Sequence, residues 1–534
     1  MNIADKLCDK IPETNNKYQD YLKNPNKSKF TLKETTPDEI WKIIHNLDGK
    51  KSGDIYNISP DIVKLSANST AQSLSIIFNI SVKEGYFPTF MKVAKILPLH
   101  KGDSVLREGN YRPISLLPIF SKIFERLIYN RLIDFIDAHK ILSELQFGFQ
   151  KNKSTEQAVS AILSTLNNAK NNKMSSYCVF LDFAKAFDTV NHSILLGKLQ
   201  HYGIDGISLS LFDSYLTNRK QQVEINGILS DPGVIKHGVP QGSVLGPLLF
   251  LLYINDISES SKILKFFLFA DDTTVYYADK FNENTENLLN TELSKVSNWL
   301  AANKLSLNVK KSNFLHFHHG KNKKPAINLK LNEVSVDEKK VTKYLGTFID
   351  DKLTWKTHIE HVRAKMSKGT GMISKIRYYV NKTCLLNLFY SFVQSHANYN
   401  LLNWSCTNQS FLKPIELKFK TAVRLVTFKG KYEHTKPLFS ELKVLPFGDL
   451  IRYKQGNFLW KICNGYTKPP ISNIFVKNAY NNLRFNIPNP GSNSAKNQLV
   501  YLCAKYWNSL PKQLRNVSTM NAFNIGHRKL LMKN

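Results

Sequence analysis

The chain has 534 residues, with 73 lysines and arginines against 42 aspartates and glutamates and a formal net charge of +31. A hydrophobic content of 42%, with 11% aromatic residues, excludes a disordered polyelectrolyte and leaves room for several packed domains. The charge points to a polyanionic partner, with nucleic acid ahead of an anionic membrane surface, because no polybasic amphipathic helix stands apart from a core.

In chain order, residues 1–30 are polar and Asn-rich and read as a flexible lead-in; residues 1–10 lack the apolar core of a secretory signal. Thr36-Pro37-Asp38-Glu39 opens a helix, with a Thr cap, Pro in the first turn and acids at the positive end. Ile40, Ile43, Ile44 and Leu47 follow at helical spacing. Lys50-Lys51-Ser52-Gly53-Asp54 is a basic turn; Ser59-Pro60 starts a second helix and a third spans about 70–83, together a small helical cap. Residues 93–99 read as a strand running into Lys101-Gly102-Asp103. Tyr111-Arg112-Pro113-Ile114-Ser115 and a helix over about 118–138 come next. A single cation is ordinarily solvated, but Lys101 and Arg112 bracket a glycine-bearing turn, where two fixed cations can clamp a triphosphate.

After a helix at 155–170, Tyr177-Cys178-Val179-Phe180-Leu181 runs straight into Asp182, a buried-strand pattern ending in a carboxylate that needs a partner or a metal. Asp188 reads as a turn or cap. Residues 216–235 alternate as hairpin strands around Asn226-Gly227. They lead into His237-Gly238-Val239-Pro240-Gln241-Gly242-Ser243, a loop whose glycines permit close backbone approach, and an apolar helix at 248–254. The apolar run 244–257, interrupted by Gly246 and Pro247, is too short to span a bilayer. In 265–277, Asp271-Asp272 separates two aromatic and β-branched runs and falls at a hairpin tip. Alone, the pair reads first as an ordinary turn; as a metal site, its oxygens suit Mg²⁺. A long helix (282–303), the segment Leu305–Ser312, a strand at 313–317, a basic loop at 319–325 and a strand at 343–349 follow. Beyond Trp355 helical patterns run to about 428, with basic faces at Arg363, Lys365, Lys368, Lys375 and Arg377. From 437 the chain is mixed, with loops at Pro469-Pro470 and 488–491, and suggests no chemistry.

An acid at a strand end, a glycine-rich loop and an acidic hairpin tip, separated by helices, suggest a β-α-β-β palm. Converging strand ends would let Asp182, Asp271 and Asp272 share two divalent cations for an in-line phosphoryl displacement. In this order, Tyr111–Ser115, Leu181-Asp182-Phe183-Ala184-Lys185-Ala186-Phe187-Asp188, Gly238–Ser243 and Phe269-Ala270-Asp271-Asp272 resemble the fingers and palm motifs of reverse transcriptases of non-LTR retrotransposons, of the jockey/LINE type.

The resemblance implies an α+β right-hand polymerase: residues 1–92 a lead-in and helical N-terminal extension, 93–352 fingers and palm, 353–436 a helical thumb, and 437–534 a region of unknown role. It implies Asp182, Asp271 and Asp272 as metal ligands for two Mg²⁺, with Mn²⁺ as a substitute. Lys101 and Arg112 would hold the triphosphate, Gln241 would line the nucleotide and template path, and Phe187 would exclude a 2′-hydroxyl. Lys311 would protonate the leaving pyrophosphate, with adjacent Lys310 a competitor for that role. Tyr344-Leu345-Gly346 resembles a primer grip. The implied partners are an RNA template, a DNA primer and dNTPs, without a membrane. No nuclease pattern precedes the fingers, so target nicking would come from elsewhere. Six scattered cysteines without Cys-x-x-Cys or Cys/His clustering fit an intracellular location, nucleus or cytoplasm. The competing reading is an inactive or domesticated relic that only binds nucleic acid.

Overall fold

The computed structural model describes residues 11–49, 53–102, 104–320, 323–479, 481–489 and 495–533. Residues 1–10 of the expected lead-in, 50–52 of the basic turn, Asp103, 321–322 of the basic loop and 490–491 of the last loop lie outside them. The strands that build the site are β1 (Val93–His100), β2 (Tyr111–Leu116), β3 (Ser175–Leu181), β4 (Arg219–Ile225), β5 (Lys265–Phe269), β6 (Asp272–Asp279), β7 (Asn313–Phe317), β8 (Val341–Tyr344) and β9 (Thr347–Asp350). The principal helices are α1 (Pro37–His45), α2 (Pro60–Leu65), α3 (Ala67–Glu84), α4 (Ile119–Ala138), α5 (Thr155–Asn171), α6 (Gly246–Ile254), α7 (Thr285–Ala302), α8 (Lys356–Ile376), α9 (Gln409–Val426), α10 (Phe447–Cys463), α11 (Leu499–Ser509) and α12 (Met520–Lys533).

The central sheet has the order Asp337–Glu338, β7, β3, β6, β5, antiparallel except where Asp337–Glu338 runs parallel to β7. Every residue of β3 is buried, which explains its unbroken apolar run: a middle strand covered on both faces has no solvent side. Period-two alternation divides its side chains between two cores. Tyr177, Val179 and Leu181 face one core, with α1, α3, α4, α6 and α7. Cys178 and Phe180 face the other, with α5 and the helices beyond Trp355.

The smaller sheet pairs β1 antiparallel to β2 and parallel to β4, and the short strand Gly233–Ile235 pairs with the first residues of β4, Arg219–Gln221. The expected Asn226-Gly227 hairpin forms, with both residues at positive φ (51° and 82°), the conformation a two-residue hairpin turn requires. Thr36 caps α1 by accepting from the Glu39 N–H at 3.3 Å, and Ser59 caps α2.

Residues 17–30, with Leu32 just beyond them, pack against the core rather than forming the flexible lead-in expected of 1–30. Tyr21, Phe30 and Leu32 are buried in the first core, and the Phe30 N–H donates to the Gly203 carbonyl at 2.8 Å. Three apolar anchors outweigh a polar composition. The residues beyond 437 likewise join the second core, through Phe447, Trp460, Trp507 and Phe523. Among the described residues no helix is long and apolar enough to cross a membrane.

Candidate active site

Asp271 and Asp272 stand at the tip of the β5–β6 hairpin. Phe269 pairs with Asp272, leaving Ala270-Asp271 as a two-residue turn with Ala270 at φ 55°. That conformation is unfavourable for a residue bearing Cβ and needs outside support. Buried Gln146 supplies it: its Oε1 accepts from the Ala270 N–H at 3.0 Å and from the Gly148 N–H at 2.9 Å. Residues 145 and 147 pair with Leu268 on the outer edge of β5 (2.9 and 2.7 Å). At Gly148 a Cβ would lie 2.4 Å from the Ala270 nitrogen, so only glycine lets the buttress approach this closely.

Asp182 reaches the same place from β3. The last paired rung of β3 and β6 is Leu181 opposite Thr273, with Asp182 following the one and Asp272 preceding the other. The segment 306–312 is latched to this strand end. Asn308 N–H donates to the Asp182 carbonyl (2.8 Å), Ala184 N–H to the Ser306 carbonyl (2.8 Å), and Asp182 N–H to Ser312 Oγ (3.2 Å). The latch brings up Lys311, the cation that acts most strongly on the Asp182 carboxylate.

The electrostatics are those of a like-charge cluster. Burial, then Asp271 and Asp182, push the Asp272 carboxyl up to about 6, although it opens to solvent at the mouth of the cleft. Burial raises Asp271, opposed by its own backbone N–H, Arg112 and Lys101. Burial raises Asp182 too, reinforced by Asp271 and opposed by Lys311, Lys101 and an Asn308 hydrogen bond. Facing the acids is a set of cations: burial lowers Lys101, as do the neighbouring charges of Lys185, Arg112 and Lys311. Among the described residues no three or more His, Cys, Asp or Glu side chains form a ready metal cage. Three oxygen-donor carboxylates that repel one another and stay open on one side fit a hard divalent cation whose remaining ligands are water and phosphate.

The glycine-rich loop frames a second wall. Ser115 N–H donates to the Gln241 carbonyl at 2.7 Å, tying the loop to β2, and Val239 N–H donates to the Phe187 carbonyl at 2.8 Å. Gly242, at φ 117°, leaves no room for a Cβ, which would meet the Ser115 carbonyl at 2.6 Å. From behind, the buried Glu125 carboxylate accepts from the Val244 and Leu245 N–H groups (2.6 and 3.1 Å), ahead of α6. A cavity of about 880 Å³ opens between this loop and the smaller sheet, bordered by Tyr111, Lys185, Asp188 and Gln241.

Asp182, Asp271, Asp272, Lys101, Arg112 and Lys311 therefore share one electrostatic neighbourhood. Gln241 instead holds Asp188, its Nε2 donating to Oδ1 at 2.8 Å; Asp188 closes a 3₁₀ turn, Ala186–Asp188, in keeping with the turn expected there. Phe187 stacks on Phe250 at 4.4 Å and meets Phe149 edge-on at 6.1 Å. Tyr344 is buried against Phe180 (5.5 Å) in the second core, and Leu345-Gly346 forms the β8–β9 turn, where Tyr399 Oη donates to the Leu345 carbonyl at 2.7 Å. Asp272 is near enough to this hairpin for its charge to act on Tyr344. Sequence reasoning missed Gln146, Gly148, Glu125, Asn308 and Lys185, whose Nζ donates to the Tyr111 carbonyl at 2.7 Å. The one available signal was Gln146-Phe147-Gly148-Phe149, an amide and a glycine interleaved with aromatics.

Residues 99–349 match the family model described as reverse transcriptase (RNA-dependent DNA polymerase). The chain is 29% identical over 460 residues to the RNA-directed DNA polymerase from mobile element jockey of Drosophila melanogaster, covering 84% of this chain and 49% of that protein. It is 29% identical over 442 residues to the "Probable RNA-directed DNA polymerase from transposon X-element" of the same fly, covering 81% and 48%. With the Pol polyprotein from type-1 retrotransposable element R2 of Popillia japonica it shares 26% identity over 242 residues, 43% of this chain and 32% of that one. The chain spans about half the length of the two fly relatives.

Proposed function

We propose that this chain, which carries a reverse transcriptase domain of the non-LTR retrotransposon kind, is an RNA-directed DNA polymerase that copies retrotransposon RNA by nucleotidyl transfer to a primer 3′-hydroxyl. The observation that carries the reading is the register of β3 and β6, which brings Asp182 and Asp272 to the same strand end, beside Asp271, with Lys101, Arg112 and Lys311 facing them.

In this reading residues 93–352 are fingers and palm, the smaller sheet belonging to the fingers and the central sheet to the palm. Residues 353–436 are the thumb, residues 1–92 an N-terminal extension, and residues 437–534 brace the thumb from behind. Asp182, Asp271 and Asp272 would hold two Mg²⁺ ions, for which Mn²⁺ would substitute, and the cations would supply positive charge to offset that of the reacting phosphates. Lys101 and Arg112 orient the triphosphate. The primer 3′-hydroxyl loses its proton to water as its oxygen bonds to the α-phosphorus, the bond to pyrophosphate breaks, and Lys311 gives a proton to the departing oxygen. Phe187, held flat by Phe250, closes the space a 2′-hydroxyl would occupy. Gln241, fixed by Asp188, lines the nucleotide and template path, and Tyr344-Leu345-Gly346 backs the primer end.

The test is extension of a DNA primer on an RNA template by the purified chain with Mg²⁺ and dNTPs. Template-dependent incorporation is expected. Salt-sensitive RNA binding with no incorporation under any divalent cation would mark the chain as a nucleic-acid-binding relic instead.

A further inference from the structure

Among the described residues, the aromatic side chains more than 70% exposed are Tyr378 (72%), Tyr379 (86%) and Tyr432 (88%), and all three lie in two neighbouring loops. One loop follows α8 and ends at the Asn381 cap of the next helix, Lys382–Phe389. The other follows α9. The loops meet where Tyr378 and Phe428 bring their rings to 6.3 Å. The second loop is held in place: Lys429 N–H donates to the Arg424 carbonyl at 2.9 Å, and Arg424 Nε to the Glu433 carbonyl at 2.8 Å.

Cations accompany the rings. The Arg377 guanidinium lies 4.5 Å from the Tyr378 centroid and the Lys431 ammonium 5.6 Å from that of Tyr432. Over 375–382 and 427–436 the sequence has six lysines and arginines (375, 377, 382, 429, 431, 436) and one acid, Glu433, with Lys382 paired to Glu441. Folding gains little from leaving three tyrosines in water, so the local apolar core does not account for them. Exposed rings flanked by cations are the arrangement that stacks unpaired bases while neutralising their phosphates, and stacking works for any base because every base has a π-face. A duplex offers no such faces along its length.

We infer that this patch is a second nucleic-acid site, which stacks unpaired nucleotides of an RNA strand. The α8 helix has 21 residues and so runs about 30 Å from the β8–β9 hairpin to the patch, which keeps this strand clear of the acids. The choice of RNA over single-stranded DNA rests on the polymerase reading; the stacking does not.

The experiment is fluorescence anisotropy of a short labelled oligouridylate on the full chain without dNTPs, so a chain that fails to polymerise still reports on the patch. Replacing Tyr378, Tyr379 and Tyr432 together by Ala should weaken binding by roughly 10- to 100-fold. Replacing the same three by Phe, which keeps the rings, should retain the affinity. Binding of a blunt RNA–DNA duplex and the thermal midpoint should not change. Unaltered oligouridylate affinity in the Ala variant overturns the inference, as does equal loss in the Phe variant. It is also overturned if the Ala variant loses only self-association or phosphatidylserine-vesicle binding while holding RNA as before. A labelled oligodeoxythymidylate bound more tightly than oligouridylate overturns the assignment to RNA.

Discussion

Asp182 follows Leu181, the last residue of β3 paired with β6, and its partner Thr273 follows Asp272 at the start of β6. Two strands far apart in sequence thus deliver like charges to one point, and the fold has to hold them there against their repulsion. That cost is greatest without a cation and eases when one carboxylate is protonated.

The first prediction follows from the sign of that shift. The Asp272 carboxyl moves from an ordinary 3.8 to about 6, so between those values the folded protein holds a proton that the unfolded chain releases. Cation-free stability should therefore fall as pH rises through this window. Asp272→Asn should raise the melting temperature at neutral pH and leave it unchanged below pH 4. Solvent at the mouth of the cleft screens the repulsion, so the gain should be about 1 kcal/mol, or roughly 2 °C. Adding Mg²⁺ should stabilise the wild-type chain more above the window than within it. Melting curves across pH, with and without Mg²⁺, check both statements.

Gly148→Ala tests the buttress. The added Cβ would meet backbone, 2.4 Å from the Ala270 nitrogen, so the acidic tip has to move. A shift of this kind should slow single-turnover incorporation on the order of 100-fold while RNA affinity stays within twofold. An unimpaired rate would mean that the tip tolerates displacement. Gln146→Ala should act in the same direction through the lost Ala270 and Gly148 hydrogen bonds.

Lys311 and Lys310 are adjacent, and the sequence leaves them as competitors. The latch through Asn308 and Ser312 turns Lys311 toward Asp182. Lys311→Gln should lower the rate roughly 100-fold or more, whereas Lys310→Gln should leave it near wild type. Single-turnover rates of the two variants, measured in parallel on one primer and template, separate them.

Phe187→Val should raise incorporation of ribonucleotides relative to deoxyribonucleotides. Phe187→Ala should do the same at a cost of about 3 kcal/mol in stability, because it removes the stack on Phe250. Unchanged sugar selectivity in the Val variant would place the gate elsewhere.

The parts of the site visible in the sequence are those with a local signature. An apolar run ending in Asp182 reads as a covered strand, an Asp-Asp pair between aromatic runs as a hairpin tip, and Asn226-Gly227 as a tight turn. The supports are not local. Gln146 meets Ala270 across 124 residues, and Glu125 meets Val244 across 119; neither carries a pattern of its own. Residues 17–30 misled by composition: their polar majority hid Tyr21 and Phe30, which dock with Leu32 on a distant core. The exposed tyrosines of the 377–379 and 428–432 loops carry no local pattern of their own; folding sets the two loops side by side.

The most direct measurement is single-turnover nucleotide incorporation by wild type, Asp182→Asn, Asp271→Asn and Asp272→Asn at saturating Mg²⁺, on one primer and RNA template, with RNA affinity measured alongside. A two-metal site on these acids predicts a loss on the order of 1,000-fold or more for Asp182→Asn and Asp271→Asn, a smaller loss for Asp272→Asn, and undiminished RNA affinity in all three. Incorporation by Asp182→Asn at the wild-type rate would contradict it.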